Sequence, residues 1–264
     1  MADQTPIGPS HSLPTHSLDD SILLDYAAGS CSEAVSLIVA SHLTLSPEAR
    51  TRYAAFEDMG GAMLDAMEPA AMEGDALADC FALIDAEESG ESGAPDAGDA
   101  ARESGARDLA AKAVDAIAEV PTPCVPAAKP AAPGRHAIDR VPAPLRGYIG
   151  GDLESQPWRP VMRGLDELPI AIDGVATVKL LRIRGGTAMP RHTHSGTEMT
   201  LVLEGGFSDE RGHFLRGDVA VTDAAVDHRP VADPGEDCYC LTVTDAPLRL
   251  TGPIGRLLNP FVRW

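Results

Sequence analysis

Positive charge is scarce in this 264-residue chain: 21 Lys and Arg stand against 40 Asp and Glu, a formal net charge of -19. That deficit argues against a direct hold on phosphate backbones or anionic membrane surfaces and makes a basic protein the natural partner. Long apolar runs are missing too, and none approaches the roughly 18 residues of a membrane span. The opening MADQTPIGPSHS has no basic stretch followed by an apolar one, so no secretory leader is expected. Cysteine is sparse, odd in number and scattered at Cys31, Cys80, Cys124, Cys238 and Cys240. Such usage points to a reduced, cytoplasmic protein.

What is present changes character twice along the chain. In residues 1–86, Asp19 and Asp20 predict a cap for a helix through SILLDYAAG, with Gly29 as its stop. Ser30 and Glu33 read as a capping-box pair opening a second helix, with Val35, Ile38, Val39 and His42 on one face. Ser46-Pro47 starts a third, which aligns Tyr53, Phe56, Gly60, Met63 and Met67, and a weaker apolar pattern covers Ala76 to Ile84. Residues 87–141 are acidic and small, then dense in proline and alanine. Such a stretch buries too little apolar area to offset chain entropy and reads as a flexible linker with a short helix at Leu109 to Val120. From residue 142 to 264 the pattern is strand-like, as in VKLLRIRGG, MTLVLEG, HFLRGDVAVT, CYCLTVT and PLRLTG. The expected fold is therefore α + β and multi-domain, a small helical bundle linked to a jelly-roll barrel.

The sharpest chemical signal is GTAMPRHTHSGTEMTLVLEG, residues 186–205. Residues two apart in a strand share a face, so His192 and His194 can enter one barrel interior, with Glu198 brought in by a turn or the next strand. Two imidazoles and a carboxylate leave open positions on a metal ion. The segment resembles the first motif of the cupin superfamily at each fixed position: Gly186, His192, His194, Glu198 and Gly205. The second cupin motif is kept in part, with Gly217 as its glycine and His228 as its histidine. The resemblance implies a double-stranded β-helix holding one divalent metal on His192, His194, Glu198 and His228, zinc ahead of iron, manganese or nickel. Cys238 and Cys240 share a strand face, either as small buried hydrophobes or as thiols near the metal that report oxidation. His213 and His11 have no supporting constellation and read as solvent-exposed.

The order of elements, LLDYAAG, SEAVSLIVASHLTL, SPEAR, linker, cupin and the ending RLLNPFVRW, resembles ChrR-type anti-sigma factors over nearly the whole chain outside the linker. That resemblance implies a helical domain that clamps an extracytoplasmic-function (ECF) sigma factor and a cupin that senses oxidative stress. It also implies a zinc site of the form His-x3-Cys-x2-Cys in the helical domain. Here His42 matches the histidine and His16 lies near an expected upstream histidine, but Ser46 and Ala49 occupy the cysteine positions. Cys31 lies outside the signature. Serine is a weak zinc ligand and alanine none, so the domain is expected to fold on helix packing alone.

The leading expectation is a cytoplasmic regulator that sequesters an ECF sigma factor by binding rather than turnover. Nucleic acid and membrane are not expected as direct partners, and a homodimer through the cupin is compatible. The rival class is a metalloenzyme, an iron-dependent dioxygenase or dione-cleaving cupin whose helices serve in oligomerisation. A passive metabolite-binding cupin gives the acidic helical segment no purpose.

Overall fold

The computed structural model describes residues 14–70, 74–89, 140–252 and Asn259. Nearly all of the linker stretch, with its expected helix at Leu109 to Val120, lies outside them, as do His11 and Cys124. Among the described residues, those through Glu57 and those from residue 140 onward belong to one compact unit, and those from Asp58 to Ser89 to a second. These units follow contacts, whereas the divisions at 86 and 141 follow composition.

Helix α1 (Asp20–Ala27) is capped by Asp19, whose Oδ1 accepts from the backbone N–H of Ser21 and Ile22 at 3.1 and 3.2 Å. Helix α2 (Glu33–Leu45) starts two residues later than the Ser30–Glu33 box predicts: Ser32, in extended backbone, accepts from Val35 N at 3.4 Å. Ser30 instead donates to the Asp25 carbonyl and closes the turn after α1. Helix α3 (Pro47–Asp65) begins as expected, with Ser46 Oγ accepting from Ala49 N at 3.2 Å. Helix α4 (Ala76–Ser89) covers the weaker pattern, and α5 (Ala143–Ile149) leads into the sheets. No helix among the described residues is long and apolar enough to cross a membrane.

Eleven strands follow among the described residues: β1 (Arg159–Met162), β2 (Leu165–Ile170), β3 (Thr177–Ile183), β4 (His192–His194), β5 (Glu198–Glu204), β6 (Gly206–Asp209), β7 (Gly212–Leu215), β8 (Val219–Thr222), β9 (Val231–Ala232), β10 (Cys238–Thr244) and β11 (Leu248–Leu250). They form a six-stranded antiparallel sheet in the order β1-β2-β3-β10-β5-β8, faced by β7-β6-β9 and by β11-β4. This is the jelly-roll sandwich of a cupin.

The sheet's two faces explain its sequence. Leu181, Ile183, Val202, Cys238 and Cys240 join Phe207 and Phe214 in the barrel interior. The alternate residues Val178, Leu180, Leu201, Leu203, Tyr239, Leu241 and Val243 pack outward in one cluster with Leu18, Leu23, Leu37, Ile38 and Leu145. Strand β10 is buried on both faces, which is why CYCLTV lacks the polar alternation of a half-exposed strand. Helices α1, α2 and α5 are thus packed on the barrel. The stripe expected along α3 divides: Tyr53 and Phe56 pack half-buried against this core, while Met63 is exposed beyond it.

Candidate metal centre and the buried N-terminal histidine

Strand β4 turns His192 and His194 to one face, and a two-way backbone bridge brings His228 beside them, each of His192 and His228 donating its N–H to the other's carbonyl at 3.0 Å. All three rings are buried. The Nε2 atoms converge: His228 lies 3.1 Å from His192 and 3.4 Å from His194. Each residue thereby offers one ligand atom to a common point, all within 4.8 Å of one another. Burial, with the neighbouring imidazole of His228 adding to it, pushes the His192 and His194 rings down to about 4. They are neutral at pH 7, the form in which imidazole ligates metals.

What stands behind the rings fixes their tautomers. His192 Nδ1 donates to the Pro190 carbonyl at 2.7 Å, and His228 Nδ1 donates to Asp209 Oδ2 at 2.8 Å, so both turn an Nε2 lone pair inward. His194 Nδ1 is buried without a hydrogen-bond partner and lies 3.7 Å from Glu198 Oε2. Three Nε2 atoms crowded together and one orphaned ring nitrogen are costly without a cation. The donor set fits a single metal ion.

Glu198, at the start of β5, stands outside the trio as it is found. Its oxygens accept from Thr200 Oγ1 at 3.2 Å and Thr244 Oγ1 at 3.1 Å. It lines, with His192 and His228, a cavity of about 300 Å³ that also meets Leu181, Met189 and Cys240. Cys238 and Cys240 are both buried with their Sγ atoms 3.5 Å apart. The hydrogen bond with Cys238 and then burial push the Cys240 thiol well up, so Cys240 behaves as a protonated small hydrophobe rather than a ready thiolate. His213 is half-exposed, 2.6 Å from Asp233. Asp209 went unnoticed in the sequence, since it sits in a hairpin with no fixed spacing to His228.

The N-terminal positions hold a different arrangement. His42 is fully buried, its Nδ1 donating to the Gly217 carbonyl at 2.9 Å and its Nε2 accepting from Ser17 Oγ at 3.0 Å. Both ring nitrogens are engaged. Ser46 serves as a helix cap, Ala49 is buried in the core, and His16 lies over the Phe214 ring at 4.4 Å. These residues do not fit a zinc ion. Instead they fasten the helices to the barrel. The His16 carbonyl accepts from Val219 N at 3.0 Å, extending the edge of the six-stranded sheet. Gly217 must be glycine there, because its φ is +91° and a Cβ would come within 2.6 Å of Pro14 Cγ.

Burial is the largest influence on His42 and lowers its pKa, against raising contributions from the Gly217 hydrogen bond and Asp218. The folded state therefore holds the ring neutral, while the unfolded chain takes up a proton near the ordinary value of about 6.5. The unfolded state binds more protons below that pH, so the stability contributed by His42 is complete above it and is lost as pH falls. The urea midpoint of the chain is expected to drop between pH 7.5 and 5.5, and to drop less in His42→Gln. Equal drops in the two proteins would count against this assignment.

Residues 147–247 match the family model of the ChrR Cupin-like domain. The chain is 36% identical over 248 residues to the anti-sigma-E factor ChrR of Cereibacter sphaeroides, covering 94% of this chain and 98% of that protein. A crystal structure of Rhodobacter sphaeroides SigE in complex with the anti-sigma ChrR matches with a TM-score of 0.63 and 33% identity, over 87% of this chain and 98% of that one.

Proposed function

The chain belongs to the ChrR family of anti-sigma factors, and from that premise we propose that it sequesters an ECF sigma factor in the cytoplasm and releases it on oxidative stress met by its cupin. The observation that carries the reading is the surface of the second compact unit. Met63 and Leu64 at the end of α3, Met67 just past it, and Leu77, Phe81, Leu83 and Ile84 on α4, are each more than half exposed. An apolar surface of that extent marks a protein-binding face. It lies in a stretch, residues 58–89, with many acidic residues and no Lys or Arg. Its complement is a partner both apolar and basic, as a polymerase- and DNA-gripping sigma factor is.

In this reading residues 1–86 supply the binding module, 87–141 the tether and 142–264 the sensor. His192, His194 and His228 would hold one divalent ion, with zinc as the first expectation and Glu198 as the fourth ligand. Bound there, a metal supplies positive charge and an exchangeable position open to an oxidant or small ligand. The chain's own part is to keep the imidazoles inward-facing beside the cavity. Glu198 begins β5, β5 pairs with β8, and the entry to β8 is where Gly217 and Asp218 hold the N-terminal segment. A rearrangement around Glu198 therefore has a short covalent and hydrogen-bonded route to the helices.

The activity is binding rather than turnover, and one experiment separates this from a dioxygenase. Full-length protein co-expressed with the ECF sigma factor encoded beside it is expected to copurify stoichiometrically, to inhibit that factor's transcription, and to carry close to one metal per chain. The metal is expected to be lost in His192→Ala/His194→Ala. Failure to retain the sigma factor, with turnover of a small oxygenase substrate, would favour the enzyme.

A further inference from the structure

We propose that Asp209 is a positioning residue for the metal centre: its carboxylate fixes the His228 imidazole as an Nε2 donor and strengthens it as a ligand. The inference rests on the reading of the three-histidine cluster as a metal site. Asp209 ends β6, and its side chain is fully buried although it carries a carboxylate. Such a group is costly unless its lone pairs are taken.

They are taken asymmetrically. Oδ1 accepts from the backbone N–H of Arg211 at 2.8 Å, and Oδ2 accepts from the Arg211 guanidinium at 3.0 and 3.2 Å and from His228 Nδ1 at 2.8 Å. Arg211 is in turn anchored, donating to the Val221 carbonyl at 2.7 Å and lying 5.5 Å over the Phe214 ring. The hairpin of β6 and β7 thus presents a rigid anion behind one imidazole.

The consequence is specific to His228. His192 has a neutral carbonyl behind it and His194 has no hydrogen-bond partner at Nδ1, whereas His228 alone among the three is backed by a hydrogen-bonded carboxylate. An anion accepting the Nδ1 proton excludes the other tautomer and raises the basicity of Nε2, and loss of such a partner ordinarily weakens metal binding by about 10- to 100-fold. Arg211 touches the same carboxylate but not the ring, so it can be removed as a control for damage to the hairpin.

The test uses the full-length protein, with Zn²⁺ affinity from chelator competition and the electronic spectrum of the Co²⁺ form. Asp209→Ala is expected to weaken Zn²⁺ binding by 10- to 100-fold and to shift the Co²⁺ bands. Asp209→Asn, which can still accept the proton but lacks the charge, is expected to fall between it and wild type. Arg211→Met, which loosens the carboxylate but keeps its hydrogen bond to His228, is expected to lose less affinity than Asp209→Ala. Unchanged affinity and spectrum in Asp209→Ala would overturn the proposal, as would an equal loss in Arg211→Met. A wild-type chain that takes up neither ion overturns the metal reading itself, and this inference with it.

Discussion

Asp218→Ala is expected to destabilise the full-length chain by about 3 to 5 kcal/mol, the scale of breaking a buried, hydrogen-bonded carboxylate. The side chain is 1% exposed and accepts from three backbone donors: Thr15 N, His16 N at 2.7 Å and Leu215 N at 2.7 Å. Its carboxylate joins the strap of residues 14–18 to the edge at β8, where Val219 N also donates to the His16 carbonyl. Truncation strands these donors, and each buried donor without a partner costs about 1 to 3 kcal/mol. Solvent at the half-exposed Thr15 end holds the sum to the lower part of that range. The urea midpoint is read from Trp158, which packs 5.8 Å from Tyr239 on the outer face of the sheet. A loss below 1 kcal/mol would show that the strap contributes little to the fold.

The reason to expect a large effect lies in what the helices have in place of a zinc site. With no thiolate at 46 or 49, the segment that precedes α1 is held by Asp218 and His42, which are residues of opposite ends of the chain brought together at the barrel edge. The same contact covers an edge strand that would otherwise offer unpaired backbone groups. Stability and the placement of the helices are therefore coupled to the strand that leads to the cavity.

The legible parts of the molecule are those whose chemistry is local. The caps at Asp19 and Ser46, the start of α3 and the strand pattern of 177–183 follow from neighbours within four residues. His192 and His194 follow from the two-residue period of a strand. The second capping box was misread because Ser30, Ser32 and Glu33 all carry capping chemistry, and only the path of the chain after Gly29 selects Ser32. Partners distant in sequence leave no spacing to read. His42 could be placed on the apolar face of its helix, but its acceptor Gly217 is 175 residues away. Asp209 is 19 residues from His228, across a turn, and nothing in SDERG distinguishes it from a surface acid. The second cupin motif, kept only in part around His228, departs in its loop residues, not in the backbone bridge that sets the ring beside His192.

The other large effect concerns the partner surface. Leu77→Asp with Phe81→Asp, two residues one turn apart on α4, is expected to weaken binding of the ECF sigma factor by at least 100-fold, about 2.8 kcal/mol or more at 1.4 kcal/mol per decade. Buried aromatic and aliphatic anchors reach that size at protein interfaces, and a desolvated carboxylate adds a penalty to the lost contact. The free protein is expected to be spared. Leu77 and Phe81 are 66% and 57% exposed, and substitutions at exposed positions usually stay within about 0.5 kcal/mol. A charge pair offers the contrast: Asp75→Lys with Asp79→Lys leaves the apolar surface intact and weakens its negative field. That variant is expected to slow association and flatten its salt dependence while changing dissociation little, since peripheral charges act mainly on encounter. Surface-immobilised sigma factor, titrated with each variant at two ionic strengths, separates the two contributions. If the α4 variant associates and dissociates as wild type does, the sigma factor is held elsewhere, and the exposed stripe must be assigned to another partner.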